Sequence, residues 1–107
     1  MIKEGVIQYV GLDKLTYDEK SLLKNLAEKT HQRLKEILHN QTDLVVHLKE
    51  EHKTGTRKEY HVLLRCTAPT QMFESHRAKS WHLNVAAKEA FDDLMIQIKK
   101  TFPRASL

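Results

Sequence analysis

The sequence predicts an α+β fold: a two-layer βαβββα sandwich with two helices packed on one face of a four-stranded, mostly antiparallel sheet. Residues 1–107 form one domain in this reading. Three observations carry it. The apolar period lengthens from about two to about 3.6 after residue 16, returns to two near residue 44, and lengthens again near residue 82. The two clearest alternating runs flank a polar stretch containing Gly55, the signature of a hairpin. Two long amphipathic stretches each have one apolar side, which a shared sheet would cover.

Val6-Ile7-Gln8-Tyr9-Val10 is a short β-prone run that stops at Gly11, and it reads as the first strand. From about Tyr17 to His39, Leu23, Leu26, Ala27, Leu34, Ile37 and Leu38 recur at three- and four-residue intervals, with Thr30 filling the middle turn. That is one helix of roughly six turns. Thr16 followed by Glu19 is a capping-box pattern that sets its start, and Asn40 is its expected stop. The far side, Lys20, Lys24, Glu28, His31 and Lys35, is expected to face solvent.

Leu44–Lys49 and Tyr60–Cys66 form the hairpin. A two-residue Thr54-Gly55 turn would put Val46 and Val62 on opposite faces, so the pattern favours a three-residue loop Lys53-Thr54-Gly55 with Gly55 left-handed. Leu44 then pairs with Leu64, Val46 with Val62 and Leu48 with Tyr60 on the inner face. Asp43 meets Arg65, Lys49 meets Glu59 and His47 meets His61 on the outer face. Ala68-Pro69-Thr70 is a turn, and Gln71–Ser75 a short further strand. A basic loop, residues 75–82, leads to the last helix, from about His82 to Thr101. That helix has Ala87, Ala90 or Phe91, Leu94, Met95, Ile98 and Phe102 inside, and Pro103 ends it. The opposite sheet face, with Val45, His47, His61, Leu63 and Arg65, is polar enough to be wet.

A single core of this size leaves little room for a deep substrate cavity, which argues against an enzyme and against a small-molecule substrate. The one cysteine, Cys66, cannot form an internal disulfide, and no apolar run approaches the roughly 18 residues of a membrane span. The N-terminus lacks the apolar stretch of a signal peptide. A cytoplasmic protein without membrane contact is expected.

Net charge is +4, from 18 Lys/Arg and 14 Asp/Glu, and its location matters more than its size. Residues 1–50 hold eight basic and eight acidic side chains, whereas residues 51–107 hold ten and six. Two stretches contain no acid: Ser75-His76-Arg77-Ala78-Lys79-Ser80-Trp81-His82, and the tail from Leu94 with Lys99, Lys100 and Arg104. A local excess of this kind suits a polyanion, because each neutralised phosphate releases counterions. It suits a solubilising surface equally well.

Trp81 is placed either to stack on a splayed base or ribose, or to pack over the sheet edge at the helix start. The seven histidines form no HxxxH or HExxH, so no metal and no cofactor is expected; His47 and His61 read as exposed strand residues. Cys66 points inward by strand parity and reads as a small core residue. Asp92 and Asp93 lie about 100° apart on a helix, so they do not face each other as an acid/base pair would.

The βαβββα order, the run Tyr60-His61-Val62-Leu63-Leu64 in third-strand position, and Ala87-Lys88-Glu89-Ala90-Phe91-Asp92-Asp93-Leu94…Gln97-Ile98 in the final helix resemble the ribosome hibernation-promoting factors, also called ribosome-associated inhibitor or sigma-modulation proteins. The resemblance spans nearly the whole chain in topology and the last helix in residue detail. It implies a non-enzymatic factor that docks on small-subunit ribosomal RNA and stops translation during stress or stationary phase. Lys99 and Lys100 would lie on RNA phosphates, with Lys20, Lys24 and Lys35 as a second set. The chain departs from the family in carrying His76, Arg77, Lys79 and His82 around Trp81, where members usually have an acidic or neutral loop. Ending at Leu107, it would be a short form, without the extra C-terminal domain of longer members.

Two other readings remain open. A double-stranded-RNA reader also has an αβββα plan with basic residues at the last helix start, where Lys79 and His82 would lead with Lys88 behind. A protein-interaction module would use the open sheet face for a partner or a second copy, although nothing in the sequence requires a homodimer.

Overall fold

Parallel pairing of β1 (Ile7–Val10) with β2 (Asp43–Thr54) follows from the helix α1 (Tyr17–Leu38) inserted between them, since parallel neighbours need a crossover connection. The remaining elements are β3 (Arg57–Thr67), β4 (Met72–Ser80) and α2 (Leu83–Thr101). The structure is a computed structural model that describes residues 5–38, 42–55, 57–69 and 71–101. Sheet order is β1-β2-β3-β4, with β2–β3 and β3–β4 antiparallel. Both helices cover one face, giving the two-layer α+β sandwich expected from the sequence.

Gly11 ends β1 with φ 82°, and a Cβ there would collide with the Leu48 carbonyl oxygen. Only glycine combines that backbone with so close a neighbour. The capping box then starts α1 as expected. The Thr16 N–H donates to Glu19 Oε1 (2.9 Å), and the Glu19 N–H to Thr16 Oγ1 (3.2 Å).

Leu44 and Val46 of β2, Val62, Leu64 and Cys66 of β3, and Phe73 and Ala78 of β4 form the inner sheet face. Leu23, Ala27 and Leu34 of α1, with Ala86, Ala87, Ala90, Leu94 and Ile98 of α2, close over them with no more than trace exposure. Each such Leu, Ile or Val contributes about 1.5–3 kcal/mol of transfer free energy. Leu26, Ile37 and Leu38 pack at the margin.

The hairpin differs from expectation in register but not in face. Leu44 pairs with Cys66, Val46 with Leu64, Leu48 with Val62 and Glu50 with Tyr60, two residues away from the expected partners. On the outer face Asp43 meets Thr67, Val45 meets Arg65, His47 meets Leu63 and Lys49 meets His61. Pairing runs out to Thr54–Arg57, leaving two positions between the strands instead of three, with Gly55 left-handed (φ 61°) as expected. A two-residue turn does set the tip pairs out of phase. A β-bulge between Glu50 and His52 restores the phase, so that the apolar residues meet.

β4 is nearly twice the length expected. It runs through His76, Arg77 and Lys79, residues assigned above to a basic loop, and only Trp81 and His82 lie between strand and helix. A second bulge permits this. Val62 pairs with Ala78 and Leu64 with Ser75, so His76 and Arg77 together oppose Leu63, and both Phe73–Ser75 and Ala78–Ser80 keep their small or apolar side chains inward. Strict alternation fails across the bulge, which hides the strand from a period-two reading.

Two histidines expected to face solvent are buried. His31 occupies the middle turn of α1's inner stripe and donates from Nε2 to the Thr42 carbonyl at 2.6 Å, while Thr30 lies half-buried beside it. Spacing explains this: Leu23, Ala27 and His31 are four residues apart on one line. His61, on the outer face, is covered by the β4 bulge and donates from Nε2 to the His76 carbonyl at 2.6 Å. The expected stops Asn40 and Pro103, the inner Phe102 and the candidate Arg104 lie outside the described residues.

Candidate nucleic-acid interface

The parallel β1–β2 register, Ile7 with Leu44, obliges α1 to carry the chain back from the end of β1 to the start of β2. The Gln97 Nε2 donates to the Glu74 carbonyl at 2.8 Å, which lays the end of α2 beside the start of β4. Both helices therefore run in the same direction, away from the hairpin tip. Lys35, Lys99 and Lys100 in the last turns share one end of the molecule; Lys20, Lys24 and Lys88 lie toward the other. At 1.5 Å per residue, Lys20 and Lys35 are about 22 Å apart along α1, and Lys88 and Lys100 about 18 Å apart along α2. The structure thus divides the sequence-predicted lysines into two groups.

Direction around each helix divides them again. Lys24 lies over the Tyr9 ring, 5.7 Å from its centroid, which places the Lys20–Lys24–Lys35 flank over the β1 edge. Gln97 also donates to Asp93 Oδ2 (3.1 Å), and both sit against β4. The opposite flanks of the two helices face each other. At 100° per residue, Lys99 falls on the α1 side of α2 and Lys100 turns toward β4. Lys29 and Arg33, both exposed, occupy the α2-facing flank of α1. They form a third cationic strip that the sequence reading passed over, although their i, i+4 spacing is legible once the helix's neighbour is known.

These cations are available. Among the described residues, none of Lys20, Lys29, Arg33, Lys88, Lys99 and Lys100 is held in an ion pair. Lys99 is half-buried and Lys100 exposed. The acids are not absent, however: in α2, Glu89, Asp92 and Asp93 match its three lysines one for one. In α1, five cations outweigh four carboxylates, two of which, Asp18 and Glu19, lie in the first turn. The helix layer's excess of cations over acids therefore lies in α1 and in the last turn of α2. In the last turns the lysines also complement the helix dipoles, a purely structural role.

Trp81 is half-buried, and the Arg57 guanidinium lies over its ring at 5.1 Å from the centroid. The exposed His82 donates its backbone N–H to Ser80 Oγ at 3.1 Å, at the start of α2. Arg77 and Lys79 are exposed on the edge strand. So the residues read as one basic loop are spread along a strand, on the far layer from α1.

Burial, and then Asp43, push the Cys66 thiol up to about 11, so it stays protonated and unreactive. Asp92 is exposed, while Asp93 is hydrogen-bonded to Gln97. Among the described residues no three His, Cys, Asp or Glu side chains come together as metal ligands. Among the described residues no helix is long and apolar enough to cross a membrane.

No protein-family model matches the chain, and no curated protein matches it. Solved structures do. The N-terminal domain of Thermus thermophilus Protein Y is similar with a TM-score of 0.58 and 17% identity, covering 94% of this chain and 99% of that one. A ribosomal subunit interface protein from Coxiella burnetii is similar with a TM-score of 0.50 and 10% identity, covering 91% and 96%. At such identities the likeness is one of fold.

Proposed function

We propose that this domain is a non-enzymatic ribosome-binding factor of the hibernation type, docking its helix layer on small-subunit ribosomal RNA and holding translation off during stress or stationary phase. The observation that carries this reading is the set of unpaired cations on two helices that run side by side in one direction. A rigid layer of that kind meets an RNA backbone with charge at fixed spacing, without needing base sequence. The fold shared with a protein named for the ribosomal subunit interface supports the choice of RNA partner. A plug of this type requires no cofactor and acts in the cytoplasm.

The test is co-sedimentation with purified small subunits at moderate salt. Reversal of Lys99 and Lys100 to Glu is expected to abolish pelleting while the thermal melt stays cooperative; unchanged pelleting would refute the reading. The same assay addresses the duplex-RNA alternative, for which reversal of Lys79 and Lys88 at the other end of α2 would be the damaging change.

A further inference from the structure

The sheet face turned away from the helices carries its own pattern. Successive outward rows across β2, β3 and β4 are Val45–Arg65–Glu74, then His47–Leu63 with the bulged His76 and Arg77, then Lys49–His61–Lys79. Beyond these, at the hairpin end, Arg57 lies over Trp81. Rows follow one another at about 7 Å, two residues of strand. Lys49 and Lys79 are exposed at the two ends of their row, about 10 Å apart across three strands. The middle row borders a shallow groove of 190 Å³ whose floor is Val45 and Leu63 and whose rim includes His47, His76, Arg65 and Glu74.

Each part has a counterpart in one ligand. The groove is below the roughly 300–1,000 Å³ of a site for a drug-sized molecule, yet its apolar floor between imidazoles suits a single flat ring. Lys49, Lys79 and Arg57 supply cations along the same half of the face. Its acids among the described side chains are engaged, because Asp43 accepts from the Val6 N–H at 2.9 Å, Glu74 pairs with Arg65 at 3.9 Å and Glu59 has a partner of its own. A flat sheet reaches base faces only when they are unstacked, which a duplex does not offer. We infer that this open sheet face binds single-stranded nucleic acid, with a base seated over Val45 and Leu63, phosphates on Lys49 and Lys79, and a further base or ribose against the Arg57–Trp81 stack. The surface is opposite to the helix layer and independent of the ribosome reading.

The experiment is titration of the full chain with a dye-labelled 12-nucleotide single-stranded RNA, followed by anisotropy and by fluorescence of Trp81, the one tryptophan. Binding is expected to quench Trp81, and annealing the probe to its complement to weaken binding at least tenfold. The exposed-site double variant Lys49→Glu/Lys79→Glu should weaken binding tenfold or more. It should also reduce the slope of log affinity against log salt by about 1.4, about 0.7 for each phosphate lost. Arg33→Glu/Lys100→Glu, on the helix layer, should leave single-strand binding unchanged while impairing ribosome pelleting, so either reading can fail alone. The inference is overturned if the wild-type chain does not bind the strand. Equal binding by the Lys49/Lys79 variant overturns it too, as does a dimer abolished by Leu63→Lys, which would assign the face to a second copy.

Discussion

Tyr60, in the middle of the sheet, donates its phenolic hydrogen to Glu19 Oε2 at 2.9 Å, across 41 residues of sequence, so the same carboxylate caps α1 and ties it to β3. Although burial opposes it, hydrogen bonds from the Thr16 backbone, Tyr60 and Thr16 Oγ1, with Lys58 nearby, hold the Glu19 carboxyl below its ordinary range. Burial, and then Glu19, push the Tyr60 phenol up to about 12.

Linkage gives this contact a pH window. Glu19's contribution is present above its unfolded value near 4.5 and is lost as pH falls through the lowered folded value. Tyr60's contribution is complete below 10 and is lost as pH rises toward about 12. Tyr60→Phe is expected to destabilise the domain by about 1–2 kcal/mol near pH 7. Urea titrations across pH should show that difference shrinking above pH 10; a difference independent of pH would deny the bond its role.

His31 fills a core position with a polar ring whose Nε2 is committed to the Thr42 carbonyl. His31→Ala removes both packing and donor, and about 2–4 kcal/mol of stability should go with them. His31→Leu restores the volume alone, and about 1–3 kcal/mol of loss should remain. Chemical denaturation of the two variants separates the terms, and equal stability of His31→Leu and wild type would remove the hydrogen bond from the account.

Gly11 and Gly55 both have positive φ, yet only Gly11 faces a backbone oxygen where a Cβ would stand. Gly55→Ala should cost about 1 kcal/mol, the left-handed penalty, because nothing lies within 4 Å. Gly11→Ala should cost more than twice as much, since the Leu48 strand must move. Thermal melts rank the pair, and a reversed order would contradict the close approach.

Cys66 should be inert in the native chain. Reaction with an aromatic disulfide at pH 8 is expected to be slow and to follow the fraction of open molecules, rising sharply in denaturant. Rapid labelling in buffer alone would show the thiol to be accessible. Cys66→Ser, which buries a hydroxyl between its strand partners Leu44 and Phe73, should destabilise by about 1–3 kcal/mol.

On the helix layer, Lys29 and Arg33 provide the sharper test of the RNA footprint. Reversing both to Glu should weaken ribosome pelleting more than tenfold and reduce its salt dependence, with no change in melting beyond about 0.5 kcal/mol for exposed sites. If reversal of Lys20 and Lys24 were the more damaging change, the β1-edge flank and not the groove between the helices would be the contact.

Much of the fold was legible in the chain itself. Leu23, Ala27, Leu34 and Leu94 at helical spacing, the Thr16–Glu19 box, Gly11 and Gly55, and alternation through Leu44–Leu48 and Val62–Cys66 are local signals, and each became the element it indicated. Local signals failed at bulges. A turn later than expected, offset in part by one extra residue near Glu51, moved the hairpin register by two, and another extra residue at His76–Arg77 hid half of β4, because alternation cannot be followed across a residue that has no partner.

What composition and periodicity determined, then, was the number and type of elements, the inward faces and the supply of positive charge. Tertiary structure alone decided which cations stand together. The parallel crossover of α1 and the return of α2 along β4 bring Lys35 and Lys99 to one end, set Arg33 opposite Lys99's flank, and put Lys49 and Lys79 in one row of the open face. Charge is a property of residues, but a pattern of charge is a property of directions, and directions are fixed only when strands pair and helices pack.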